Sequence, residues 1–191
     1  MKISLLLIFF VVNCLACEDI EVYPDMMFPQ VEITTSLGKI VVELDRNKAP
    51  ITVNNFLKYI KAKLYIGSLF HRVEENFVIQ GGGYDKDMNE ITDCGKIYNE
   101  SGNGLKNKYG TIAMARYSDP HSATSQFYFN LTDSSNLDPN PKNWGYTVFG
   151  QVTEGFEVLD ELAKVKVGYS DKLQSENVPI EAIFIESVII N

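Results

Sequence analysis

The sequence predicts a mainly β protein, a barrel of short strands capped by two α-helices. Three observations carry this. Short runs rich in β-branched and aromatic residues recur between glycine and asparagine clusters, as in "GTIAMAR", "SQFYFNLT" and "YTVFGQVT". Two stretches place apolar residues at helical spacing. The last run, "IEAIFIESVIIN", alternates apolar and polar residues, which suits a closing strand. Many short strands with few helices pack best as a closed sheet with helices over its ends.

The elements follow in order. "MKISLLLIFFVVNCLAC" carries one lysine, an apolar run from Ile3 to Val12 and the small Ala16. That is the layout of an export signal over residues 1–16. The run is shorter than the roughly 20 residues that span a bilayer. Cys14 would leave with the signal, stranding Cys17 and Cys94. The favoured reading is a lipid on Cys17, giving membrane attachment; pairing of Cys17 with Cys94 in an oxidising compartment, or two free thiols, stay open. Residues 17–30, with acids and two prolines, read as a tether, and residues 31–191 as one domain. "VEITTSLGKIVVELD" reads as a hairpin with Gly38 in the turn. In "APITVNNFLKYIKAKLY", Pro50 suits a first helical turn, and Val53, Phe56, Leu57 and Ile60 form one apolar face. "EGFEVLDELAKVKV" gives the second helix, with Phe156, Leu159 and Leu162 on one side.

Charge and chemistry narrow the function. The 191 residues are 45% hydrophobic and carry a net charge of −8 with no basic run, so nucleic acid is an unlikely partner on electrostatic grounds. Two histidines without a Cys/His cluster argue against a metal, and no cofactor is expected. "GGGYDK" has neither P-loop nor dinucleotide spacing, so its glycines serve backbone geometry. Ser122 beside His121 lacks a nucleophile elbow, and adjacent side chains on a strand diverge. "NES" at Asn99 and "NLT" at Asn130 fit the N-glycosylation pattern.

"FHRVEENFVIQGGG", residues 70–83, sets an arginine and a glutamine among aromatics. If it is extended, Phe70 and Arg72 share one face, "EEN" interrupts the strand, and Val78 and Gln80 share the next face. This stretch, then "NGLKNKYGTIAMAR", "HSATSQFYFN" and "GYTVFGQV", resembles in the same order the cyclophilin family of peptidyl-prolyl isomerases, its bacterial branch most of all. The resemblance runs from about Val31 to Asn191. It implies a closed antiparallel eight-stranded barrel and catalysis of rotation about X–Pro bonds, with proline-containing polypeptides as substrates.

By the same resemblance, Arg72 matches the catalytic arginine, Phe77 the floor of the proline pocket, and Gln80 the glutamine that contacts substrate and fixes the arginine. Ala115 and Arg116 match residues that bind substrate main chain. Gln126 lies beside the groove, Val78, Tyr128 and Leu137 match pocket positions, and Tyr146 stands where many members have histidine. Val78 replaces a methionine, Tyr128 adds a hydroxyl that needs a partner if buried, and Asn136 replaces a tryptophan, which implies weak cyclosporin binding. The expectation is a monomeric, exported, periplasmic isomerase assisting protein folding. A eukaryotic secretory home, and a binding module in which turnover is incidental, are the alternatives.

Overall fold

The structure, a computed structural model, describes Cys17 and residues 25–191. The export signal expected over residues 1–16 and most of the tether lie outside the described residues. The chain forms β1 (Gln30–Thr35), β2 (Gly38–Leu44), α1 (Pro50–Lys61), β3 (Leu69–Glu74), β4 (Val78–Gly81), β5 (Thr111–Met114), β6 (Phe127–Asn130), β7 (Val148–Glu154), α2 (Phe156–Leu162), β8 (Val167–Ser170), β9 (Ser175–Pro179) and β10 (Ile183–Ile190). Eight strands close a barrel in the order β1-β10-β3-β4-β6-β5-β7-β2, each pair antiparallel. Closure leaves the barrel itself without a free edge.

Both helices bury one face. Val53, Phe56 and Leu57 of α1 are fully buried. Phe56 meets Tyr65, Phe127 and Phe149 at centroid distances of 5.1, 5.3 and 5.2 Å. This aromatic filling makes the barrel a packed body rather than a vessel. Ala49, preceding α1, offers no side-chain cap. Glu100 supplies one from a distant loop, accepting from Ile51 N at 3.1 Å, Thr52 N at 2.8 Å and Thr52 Oγ1 at 2.7 Å. A carboxylate there satisfies orphan N–H groups and complements the helix dipole.

Three local expectations change. The hairpin turns at Ser36 and Leu37, while Gly38 already pairs with Thr35 in β2. Its φ of +140°, and a Val158 methyl 2.7 Å from where a Cβ would lie, explain the glycine. The second helix ends at Leu162, and the "KVKV" run leaves it and leads into the β8/β9 hairpin, a separate two-stranded sheet. Leu159 and Leu162 are buried, but Phe156 is 38% exposed and stacks on Tyr109 at 5.8 Å.

The N-terminal segment is fastened at two points. Met26, Met27 and Pro29 accept hydrogen bonds from Arg46 Nη1, Arg46 N and Leu44 N, at 2.6, 3.0 and 2.9 Å. Cys17 is buried and forms a disulfide with Cys94. This corrects the lipid reading, because the sulfur that would carry a lipid is bonded to another sulfur.

Candidate active site

The groove lies on the outer wall of the barrel, where β3, β4, β6, β5 and β7 run side by side. An irregularity in β3 creates it. Phe70 pairs with Gly81 but Arg72 pairs with Gln80, so His71 is an extra residue and the register shifts. Phe70 therefore points into the core, with Phe127 at 6.0 Å, and Arg72 stands outside, half-buried. The expected shared face of Phe70 and Arg72 is overturned by this bulge. Val78 and Gln80 do sit on the outer wall.

Below Arg72 is a second apolar cluster, separate from the barrel core. Val78, Ala113, Tyr128 and Val148 are its buried floor, and Phe77, Leu105, Ala115, Leu137 and Tyr146 pack around them. The Arg72 guanidinium carbon lies 5.8 Å from the Phe77 ring centroid. Arg72 Nη1 donates to Gln80 Oε1 at 3.2 Å, and Gln80 Nε2 donates to Gln126 Oε1 at 2.7 Å. Arg72 Nη2 donates to Glu74. A chain of side chains from β3, β4 and the loop before β6 thus aims one guanidinium along an apolar pocket.

The triple glycine makes room for this chain. Gly82 has a φ of +74°. A Cβ on Gly83 would fall 2.6 Å from Gln126 Cδ. The bend asked of residues 81–83 is thus also a demand for space beside the Gln126 amide.

Tyr128 finds the partner its hydroxyl requires. It is 4% exposed and donates to Asn107 Oδ1 at 2.8 Å. Burial holds its phenol protonated well above the ordinary tyrosine range. Asn107 also binds Asp138 Oδ1 through its backbone N, at 2.8 Å, and through Nδ2, at 3.0 Å. That anchors the loop carrying Leu137, whose carbonyl accepts from Tyr146 N at 2.9 Å. Asn107, Asp138, Leu105, Gly83 and Glu74 are site residues that sequence reasoning missed. Gly83 and Glu74 lie within "FHRVEENFVIQGGG" and Leu105 and Asn107 within "NGLKNKYGTIAMAR", while Asp138 lies outside both motifs.

The side chain of Arg116, the residue matched to substrate main-chain binding, is turned to the loop before β7. Its guanidinium donates to the carbonyls of Trp144, Tyr117 and Gly145 at 2.7, 2.8 and 3.3 Å. It also lies 4.5 Å from the Tyr146 ring centroid. Its side chain thus fastens the loop that presents Tyr146. A small cavity of about 80 Å³ between Gln80, Ala115, Arg116, Ser122 and Gln126 extends the groove away from the apolar cluster. A larger one, of about 360 Å³, shares only Leu105 and Val148 with the cluster and holds neither Arg72 nor Gln80.

His71 is 7% exposed and packs on Tyr84 at 4.7 Å. Burial holds its pKa down to about 4, and the Arg72 charge pushes the same way. Asn130 is fully buried, donating to Asn107 Oδ1 and Thr111 Oγ1 at 3.2 and 2.9 Å, so the folded chain has no room for a glycan there. The Asn99 amide is tied to Gly145 O at 3.0 Å and to Ser101 N at 2.8 Å. Among the described residues, no three His, Cys, Asp or Glu side chains gather as a metal site.

Known proteins share this fold and much of this sequence. Residues 30–185 match the cyclophilin type peptidyl-prolyl cis-trans isomerase family. The peptidyl-prolyl cis-trans isomerase cyp18 of Streptomyces antibioticus is 48% identical over 160 residues, covering 82% of this chain and 95% of that protein. Peptidyl-prolyl cis-trans isomerase B of Escherichia coli K12 is 43% identical over 160 residues, with 82% and 96% covered. The crystal structure of a Cryptosporidium parvum cyclophilin type isomerase superposes with a TM-score of 0.70 at 25% identity, covering 86% of this chain and 98% of that one. With the family match, the relatives' identities and the eight-stranded barrel in agreement, the chain belongs to the cyclophilin-type peptidyl-prolyl cis-trans isomerases.

Proposed function

We propose that Arg72 is the catalytic centre of this isomerase and that the cluster of Phe77, Val78, Tyr128, Leu137 and Tyr146 receives the proline ring. The observation that carries the reading is the Gln126–Gln80–Arg72 chain, which directs a guanidinium across an apolar pocket. X–Pro rotation faces a barrier of about 18–20 kcal/mol because the C–N bond has partial double-bond character. Twisting breaks the conjugation and leaves a lone pair on the prolyl nitrogen. A guanidinium N–H that meets this lone pair stabilises the twisted state more than the planar one, which is the condition for catalysis. The cluster fixes the ring while the preceding carbonyl turns. No bond breaks, so no nucleophile is required.

The substrates are proline-containing polypeptides; a relative's structure was determined in the presence of the dipeptide Ala-Pro, which is in keeping with this. A role in folding exported proteins rests on two features: the signal-like residues 1–16 and the Cys17–Cys94 disulfide, which suits an oxidising compartment such as a periplasm. With Cys17 paired, the reading has no lipid anchor and describes a monomer. Asn136, next in sequence to Leu137 of the cluster, is exposed and polar, which supports weak cyclosporin affinity.

A protease-free exchange assay on an X–Pro peptide tests the reading. Arg72→Ala is expected to lower kcat/KM roughly a hundredfold, as loss of a transition-state donor does, and cyclosporin is expected to inhibit the wild type only weakly. Undiminished turnover by folded Arg72→Ala would move the catalytic centre elsewhere.

A further inference from the structure

The catalytic guanidinium has a second partner that the proposed mechanism does not use. Arg72 Nη2 is bonded to the Glu74 carboxylate, two residues along β3. The side chains are 32% and 40% exposed, so solvent reaches the pair. Glu74 pairs across the ladder with Val78, part of the apolar floor, while Arg72 pairs with Gln80. The carboxylate thus lies on the same side of β3 as Arg72, beside the strand position that supplies Val78 to the floor.

Its electrostatic effect opposes catalysis. A carboxylate bonded to one edge of the guanidinium offsets the positive field that the prolyl lone pair would feel, and it holds one set of N–H bonds to itself. Gln80 differs, because it is neutral and is itself held by Gln126. Gln80 can keep Arg72 aimed when Glu74 lets go.

We propose that Glu74 is a specificity-determining residue that restrains Arg72 until a substrate cation replaces it, so that the enzyme favours X–Pro bonds flanked by lysine or arginine. A basic side chain next to the proline draws the half-exposed carboxylate off Arg72. The guanidinium then presents its full charge to the twisting bond, still held by Gln80. A neutral flank leaves the ion pair in place. An acidic flank meets the like charge of Glu74. This rests on the reading of Arg72 as the catalytic group.

The test measures kcat/KM by exchange spectroscopy for three peptides with lysine, alanine or glutamate beside the proline, at about 50 and 500 mM salt. Wild type is expected to favour the lysine over the glutamate peptide about fivefold, the scale of a half-exposed ion pair. High salt should shrink that ratio toward one, since exposed charges are screened within about 10 Å at 0.1 M. Glu74→Gln should bring the ratio near one and raise turnover of the alanine peptide. Glu74→Asp, whose shorter carboxylate reaches Arg72 less well, should keep the lysine preference and raise turnover. A fall on all three peptides in Glu74→Gln would make Glu74 a positioning residue and overturn the proposal. So would an unchanged ratio in that variant, or no preference in wild type. Failure of the parent reading is distinguishable, since it shows as undiminished activity in Arg72→Ala, whatever the flank.

Discussion

Gly83 shows how a residue without a side chain can serve the site. The nearest atoms to its missing Cβ belong to Gln126, and that glutamine holds Gln80, which holds Arg72. Gly83→Ala is therefore expected to push the Gln126 amide aside and loosen the guanidinium two bonds away. The clash is with a flexible side chain, so the cost should fall on activity rather than folding. We expect kcat/KM to drop roughly tenfold, about 1.4 kcal/mol in the barrier, with little change in Tm. Exchange kinetics and a thermal melt on the same preparation check this, and unchanged kinetics would remove Gln126 from the aiming of Arg72. Tyr128 makes the complementary point. A buried hydroxyl in an apolar wall is tolerated because Asn107 Oδ1 accepts its hydrogen bond.

At the scale of elements, α1 is the instructive case. Its apolar face and N-terminal proline are local features that a sequence displays. Its cap is not, because Ala49 contributes none and Glu100 arrives from 48 residues away to accept from Thr52. Glu100→Ala is expected to cost about 1–2 kcal/mol of stability, by unpairing the first-turn donors and removing a charge that favours the dipole. Glu100→Gln, which keeps an acceptor oxygen, should recover part of that. Urea midpoints of the two variants separate the hydrogen-bond from the charge contribution; equal loss would assign the effect to charge alone. β3 teaches the same lesson in a strand. Its alternating pattern was visible, but the extra residue at His71 reversed the direction of everything before it relative to everything after.

Across the whole molecule, an interior packed with aromatics supports a shallow site on the outer wall. Stability is coupled to the site through His71, buried between that interior and Arg72. Its folded pKa of about 4 lies below its ordinary 6.5, so the unfolded chain takes a proton that the fold resists. Its contribution is intact above pH 6.5 and is lost as pH falls through about 4, in total about 3 kcal/mol. Chemical denaturation at several pH values should show stability declining over this window in wild type. His71→Gln should flatten the decline, and an equal slope in both proteins would assign it to carboxylates instead.

The sequence by itself determined the periodic and the contiguous. The apolar face of α1, Leu159 and Leu162 of α2 and the β-rich runs are patterns within a few residues, while the roles of Arg72, Phe77, Val78 and Gln80 came from the resemblance of ordered motifs to a family. Helical or extended geometry turns such spacing directly into a face. Only the tertiary structure decided what depended on distant partners or on a single step of register. It turned Arg72 away from Phe70, paired Cys17 with Cys94, brought Gln126 to Gln80 and Asn107 to Tyr128, and placed Glu74 on the guanidinium. The physical reason is barrel closure. It joins strands dozens of residues apart, while one bulged residue, invisible in composition, inverts which side of a strand meets the core.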